Sequence, residues 1–262
     1  APDSITKEMF LLSDPWFFAV AIPAVLITGI SKSGFGGSLG VVSVPIMALV
    51  ISPAQAAAIL LPILCLMDLL GLWAYRGKWA LPELRILLPS SLLGIVIGTA
   101  LFGVVSADAL RLVLGGLALL FAVHYWRQLH ATRSGPQPVA SPTVGFISAT
   151  GSGVTSFIAH AGGPPLHMYL LRRTLEKTTF VATNVAFFTV VNYVKLVPYA
   201  WLGQLAIDNL KTSLMLAPLA PVGIALGIWL HRRIPDRQFF RITCLFLFVL
   251  SLKLISDGIR AI

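Results

Sequence analysis

The feature that most constrains this chain is where charge is missing. No Asp, Glu, Lys or Arg occurs in 33–67, 86–107, 134–171, 178–194 or 212–231. Several of these runs reach the roughly 20 residues that an α-helix needs to cross the hydrocarbon layer of a bilayer. A water-soluble fold of 262 residues needs more surface charge than the 11% of Asp, Glu, Lys and Arg present, and 57% of the residues are hydrophobic. The chain reads as an all-α polytopic membrane protein whose surroundings are the lipid bilayer.

A net charge of +9 would suit a nucleic-acid binder, but the basic residues are dispersed as short flanks of apolar segments. That pattern controls membrane topology and excludes nucleic acid as a partner. Cys65 and Cys244 sit in apolar runs without CxxC or metal-ligand spacing. They read as small buried hydrophobes, and neither a metal nor a cofactor is expected. No basic n-region precedes the first apolar run, where Asp3, Glu8 and Asp14 crowd instead, so a signal peptide is not expected.

Apolar segments predict helices at 15–33, 53–76, 84–105, 109–128, 143–160, 175–203, 209–231 and 237–258. Two shorter pieces, 41–51 and 164–173, follow glycine clusters and are only about half a bilayer long. The polar stretch 129–142 reads as a linker between a first half, 1–128, and a second, 143–262. The halves look alike. Gly94-Ile-Val-Ile-Gly98 matches Gly223-Ile-Ala-Leu-Gly227 at an offset of 129, and Asp68 and Tyr75 match Asn192 and Tyr199 at an offset of 124. Each half also opens with a helix, a glycine pair and a proline-bearing short piece: Gly36-Gly37 with Pro45, then Gly162-Gly163 with Pro164 and Pro165. Their common order reads as a duplication.

Charge orients the copies. Suppose each glycine-cluster unit is re-entrant and is followed by three full crossings. One side then collects 76–85, 127–142, 172–177 and 232–241, which hold twelve Lys/Arg, against five on the other side. The positive-inside rule makes the first side cytoplasmic, with the linker there and both termini outside. An odd number of crossings per half turns the second copy upside down. The expected fold is therefore two inverted repeats, each a glycine-rich re-entrant or broken-helix unit plus three transmembrane helices.

Around Gly34-Phe35-Gly36-Gly37-Ser38-Leu39-Gly40 a regular lipid-facing helix cannot continue, and broken backbone at membrane depth is tolerated only inside protein or beside water. A half-helix starting there presents free N–H groups and partial positive charge, which suits an anion. Lys32, beside Ser33 in the first cluster, is an intramembrane cation and therefore a candidate ligand residue. The second cluster offers Thr150, Ser152, Thr155, His160 and His167 beside Gly162 and Gly163 but no lysine, so a symmetric pair of cations is not expected. Helix 175–203 carries Asn184, Phe188, Asn192 and Lys195 on one face, which should turn toward a cavity or another helix. On the matching face of 53–76 only Asp68 is polar, and it is expected either to form an ion pair, with Lys195 or Lys32, or to carry a coupled proton.

Two related halves, opening with Gly34-Phe-Gly-Gly…Val44-Pro45 and Ala161-Gly-Gly-Pro-Pro165, resemble the TauE/SafE family of sulfite and organosulfonate exporters, over about 15–258. The resemblance implies transport of a small sulfur oxyanion in the bacterial inner membrane. It maps the family's glycine motifs onto Gly34, Gly36 and Gly37 and onto Gly162 and Gly163, with Pro164 departing from the glycine triplet. The reading is a non-enzymatic secondary exporter working by alternating access. Its small oxyanion would be held at the half-helix N-termini near the membrane midplane, with protons as a candidate coupling partner. An anion channel shares nearly every feature, and an intramembrane hydrolase would pair Ser38 or Ser152 with His160 or His167. The topology has a direct check. Single cysteines at positions 134 and 237 should be protected from an impermeant thiol reagent in intact cells, while one at 208 reacts; opposite labelling of 134 and 237 would break the inverted assignment.

Overall fold

A computed structural model of the chain describes residues 14–34, 37, 40–104, 106–130, 139–231 and, near the C-terminus, 245, 248–249, 251–253 and 255–260. Among them all regular structure is helical. The order is α1 (Pro15–Gly34), a 3₁₀ turn (Gly40–Val42), α2 (Ser43–Met47), α3 (Pro53–Ala74), α4 (Leu81–Val104), α5 (Ala107–His130), α6 (Pro142–Ala159), α7 (Gly163–Leu170), α8 (Lys177–Trp201), α9 (Ile207–Leu216) and α10 (Leu219–His231). Two helices start on the same device. Ser52 and Ser141, each followed by proline at the first helical position, accept from the N–H groups of Gln55 and Val144.

Among the described residues four helices, at 15–34, 53–74, 81–102 and 178–201, are long and apolar enough to cross a membrane, and α9 with α10 makes a fifth if the bent pair is one span. The sequence predicts one helix over 209–231. Its two pieces instead meet at 44° around Ala217 and Pro218, because proline has no N–H to continue the ladder. The half-helix expected over 41–51 is shorter, a 3₁₀ turn and the five residues of α2. At 20 residues, α1 has the length of a full span, although the charge argument treats it as part of a re-entrant unit. Most of 237–258, and 131–138 of the linker, lie outside the described residues.

Five tryptophans mark the lipid boundary. Trp16, Trp73, Trp126, Trp201 and Trp229 are all exposed, and each lies within a few residues of a helix end. An indole has an apolar body and one N–H, so it is most stable at the membrane–water interface.

The closest helix approaches are made through glycine. A Cβ on Gly29 would lie 2.8 Å from Gly223 Cα, and one on Gly34 would lie 2.7 Å from the Gly227 carbonyl oxygen, so α1 sits directly on α10. A Cβ on Gly94 would lie 2.9 Å from Gly153 Cα, which presses α4 onto α6 in the same way. Small residues let backbones approach where lipid supplies no hydrophobic push between helices. α1 is thus held by α10 and α6 by α4, helices distant in the chain.

Some bonds recur at the spacing of 124 residues seen in the sequence. Tyr75 Oη donates to the Ser33 carbonyl at 2.8 Å, and Tyr199 Oη to that of Phe157 at 2.7 Å. The Gly37 N–H donates to the Ser31 carbonyl at 2.9 Å, and that of Ala161 to Thr155 at 3.2 Å, closing the ends of α1 and α6 alike.

At one end of the bundle Glu83, buried in the first turn of α4, accepts from Tyr169 Oη at 2.6 Å and from Arg173 Nε at 2.9 Å. Arg173 also donates to the Ala140 carbonyl at 3.1 Å, so one guanidinium ties the exit of α7 to α4 and to the entry of α6. The Glu83 carboxylate holds the Arg173 guanidinium above its ordinary value.

The glycine contacts generate a stability test. Gly29→Ala and Gly94→Ala should each lower the unfolding temperature of purified protein, overpacking costing about 1–3 kcal/mol. Gly116→Ala, where nothing lies within 4 Å of the new methyl, should be neutral or slightly stabilising. Equal tolerance at all three positions would contradict the packing described.

Candidate functional site

Four polar stripes converge at the centre of the bundle. α1 brings Thr28, Ser31 and Lys32 at helical spacing, and α6 brings Ser152, Ser156 and His160. α3 brings Asp68 below Leu60 and Leu64, and α8 brings Asn184, Phe188, Asn192 and Lys195. All are buried except His160, which is partly so. In hydrocarbon these side chains would lack partners, so the helices turn them inward.

Between them lies a small cavity of about 30 Å³. Its polar wall is Lys32, Asn192, His160, Thr28, Ser43 and Ser156, with the backbone of Gly37 and Gly40; Leu60, Leu64 and Phe188 close the rest. Gly37 has φ +79°, in the left-handed region that only glycine enters at little cost, and this lets the chain turn against the cavity after α1. His160 stands at the equivalent turn after α6 with φ +51°, an uncommon conformation for a residue with a Cβ.

Two lysines, Lys32 and Lys195, reach this centre, and they do so by different helices. Lys32 Nζ lies 2.5 Å from Asp68 Oδ1, and Asn192 Nδ2 donates to Oδ2 at 2.7 Å. Apart from the ion pair, Oδ1 has no hydrogen-bond partner among the described residues. Asp68 therefore pairs with Lys32 rather than Lys195. It also meets Asn192, the residue 124 positions further on, so the matched positions of the two halves touch. Lys195, fully buried, takes a different course. Its Nζ donates to the Ser156 carbonyl at 2.9 Å, to Ser156 Oγ at 3.0 Å and to His160 Nδ1 at 3.0 Å. Ser156 is the position 124 residues beyond Lys32, so the Lys195 ammonium group reaches the place that the same spacing assigns to Lys32, from a different helix.

His160 Nε2 faces the Ala57 carbonyl at 2.9 Å. A carbonyl only accepts, so Nε2 carries the proton and Nδ1 is the acceptor that Lys195 finds. Thr28 and Ser43 hydroxyls contact each other and share the Ala24 carbonyl, joining α1 to α2 beside the cavity.

The remaining expected ligand residues are dispersed. Ser33 donates to Gly29 and Ile224 carbonyls and glues α1 to α10; Gly34 packs on Gly227. Both serve helix packing, because the α1 face they occupy points away from Lys32. Gly162 caps α7, with its carbonyl accepting from Ser152 Oγ at 2.7 Å, and Gly163 begins that helix; neither lines the cavity. Pro164 and Pro165 follow, so the first turn of α7 lacks two of the donors that an anion at its N-terminus would use. Asn184 lies deeper, bonded to His167 Nε2 at 3.0 Å and to the Phe180 carbonyl. Gly36 and Ser38 fall outside the described residues. Sequence reasoning passed over Thr28, Ser43 and Ser156; the repeat of four through Ser152, Ser156 and His160 was the signal available.

The pairing of Ser152 with His160 that a hydrolase would need is not formed, since Ser152 donates to Gly162 and both imidazole nitrogens of His160 are engaged. Comparison with known families gives a match. The model of the sulfite exporter family TauE/SafE covers residues 21–254, nearly the whole chain. The chain belongs to the TauE/SafE family. Neither the curated proteins nor the solved structures give a match. With its apolar helices, membership makes this a multi-pass membrane protein of a sulfur-anion transporter family.

The ion pair can be tested apart from transport. Lys32→Met should destabilise the purified protein by about 3–5 kcal/mol, because it strands a buried carboxylate. Adding Asp68→Leu should recover much of the loss in a thermal melt. A single variant as stable as the parent would show that the pair holds nothing together.

Proposed function

We propose that this protein is a secondary transporter that exports a small sulfur-containing oxyanion such as sulfite or an organosulfonate. The observation that carries the reading is a buried, predominantly cationic centre, built from both halves, inside a transporter-family chain. Lys32, the hydroxyls of Thr28, Ser43 and Ser156, Asn192 and the backbone at Gly37 supply donors from several directions to one small volume. An oxyanion needs that arrangement when it leaves water. The helix N-termini named by the sequence contribute less than these side chains, for α2 is too short and α7 begins with prolines.

The cavity has room for roughly two waters. An anion of four or five heavy atoms therefore enters only as the walls withdraw. We read the two halves as inverted repeats that rock about the shared centre. Recurrent bonds at a spacing of 124 and the exchange of α1 and α6 between halves support this. The Glu83–Arg173 bridge then serves as a closure on the cytoplasmic side, where the basic loops 76–85 and 172–177 lie in the proposed topology. Export follows the membrane field, since moving one negative charge outward gains about 2.3 kcal/mol per 100 mV. The setting is a bacterial inner membrane with both termini outside.

Thermal shift of purified protein with sulfite, sulfate, thiosulfate, sulfoacetate, taurine and short carboxylates tests the reading, because a ligand of the folded state raises its stability. Sulfur oxyanions should stabilise more than carboxylates. Gly37→Val should weaken the best of them about tenfold or more by blocking close approach. Gly203→Val, equally strained at φ +68° with nothing within 4 Å, should bind as the parent does. Equal loss in both variants would assign the effect to strain and remove Gly37 from the site.

A further inference from the structure

The charges buried at the centre do not cancel. Lys32 and Asp68 neutralise each other across 2.5 Å. Lys195 has no such partner: among the described residues no carboxylate lies within ion-pair distance of it. Its ammonium is matched proton for proton by three neutral acceptors, the Ser156 carbonyl, Ser156 Oγ and His160 Nδ1. His160 is held in its neutral form by the same bonds, since Nε2–H points at a carbonyl while Nδ1 receives the lysine. With Lys195 as an ammonium, the form for which these three acceptors provide, the centre carries one uncompensated positive charge. Such a charge buried among apolar residues is costly until a counter-charge arrives.

We propose that the site is matched to an anion of a single negative charge, and that Asp68 sets this valence. The inference rests on the anion-transport reading and adds the form of the substrate: a sulfonate, or the hydrogen form of sulfite, rather than a dianion. A monoanion beside Lys32, Ser156 and His160 brings the buried centre to neutrality. A dianion of the same size leaves one negative charge in excess and faces the Asp68 carboxylate across Lys32. Asp68 acts here by exclusion. It consumes the charge of one lysine that would otherwise help to hold a second negative charge, and discrimination often rests on such repulsive elements. Asn192, its counterpart in the other half, binds the same carboxylate without adding charge, so the asymmetry between the matched positions is the asymmetry that fixes the net value.

The test compares methanesulfonate with sulfate, which differ by a methyl in place of one charged oxygen, by titration calorimetry on the full-length protein in detergent at one pH. The parent should favour methanesulfonate by about tenfold or more, and Asp68→Asn should reverse the order. Lys195→Met, which brings the centre to zero, should weaken both anions. Sulfate bound as tightly as methanesulfonate by the parent, or an order unchanged in a folded Asp68→Asn, would overturn the valence assignment while leaving anion binding intact. Binding of neither anion, nor of sulfite, would instead remove the anion-site reading beneath it. Should Asp68→Asn not fold, the order in the parent decides alone.

Discussion

Hydrocarbon offers no hydrogen bonds, and every other property of this fold is arranged around that deficit. Among the described residues α1 ends at Gly34 and α6 at Ala159, and a helix end leaves backbone groups that need partners. Both helix ends pack against other helices. Glycine makes this packing possible: α10 reaches the backbone of α1 at Gly29 and Gly34, and α4 reaches α6 at Gly153. Had any of these carried a side chain, the helices would stand further apart. The close packing also brings the polar stripes of α1, α3, α6 and α8 within bonding distance of one another.

That convergence creates an electrostatic problem with an asymmetric solution. Two lysines and one aspartate share an apolar interior. One cation is paired by charge, through Asp68, and the other is solvated by a carbonyl, a hydroxyl and an imidazole. The paired lysine lines the cavity, whereas the solvated one stands behind Ser156 and His160. A ligand would meet Lys32 directly and feel Lys195 through the groups it orients. His160 couples the two tiers, since its ring is fixed on one side by Lys195 and on the other by the Ala57 carbonyl.

Much of this was legible in the residues. Charge-free runs locate helices to within a few positions, because excluding charge from hydrocarbon is a local requirement that each segment satisfies alone. The offset of 124 that aligned Asp68 with Asn192 and Tyr75 with Tyr199 reappears as matched tyrosine bonds and as a direct Asp68–Asn192 contact. The buried face of α8, read from spacing, turns inward as expected. The break at Pro218 and the brevity of α2 were less visible: a proline within an apolar run is compatible with a continuous span, and Pro23, Pro62, Pro89 and Pro198 indeed lie inside unbroken helices.

The sequence by itself determined the class of molecule, the helix positions, the family and the cast of intramembrane polar residues. These follow from composition, period and motif, which are properties of short stretches. Only the tertiary structure decided which lysine pairs with Asp68, that Lys195 supplies the cation missing from the second glycine cluster, and that Ser33 and Gly34 serve packing. Those outcomes depend on which helix faces come together across more than a hundred residues. A buried charge takes whichever partner the packing brings nearest, and spacing along one helix carries no record of its neighbour.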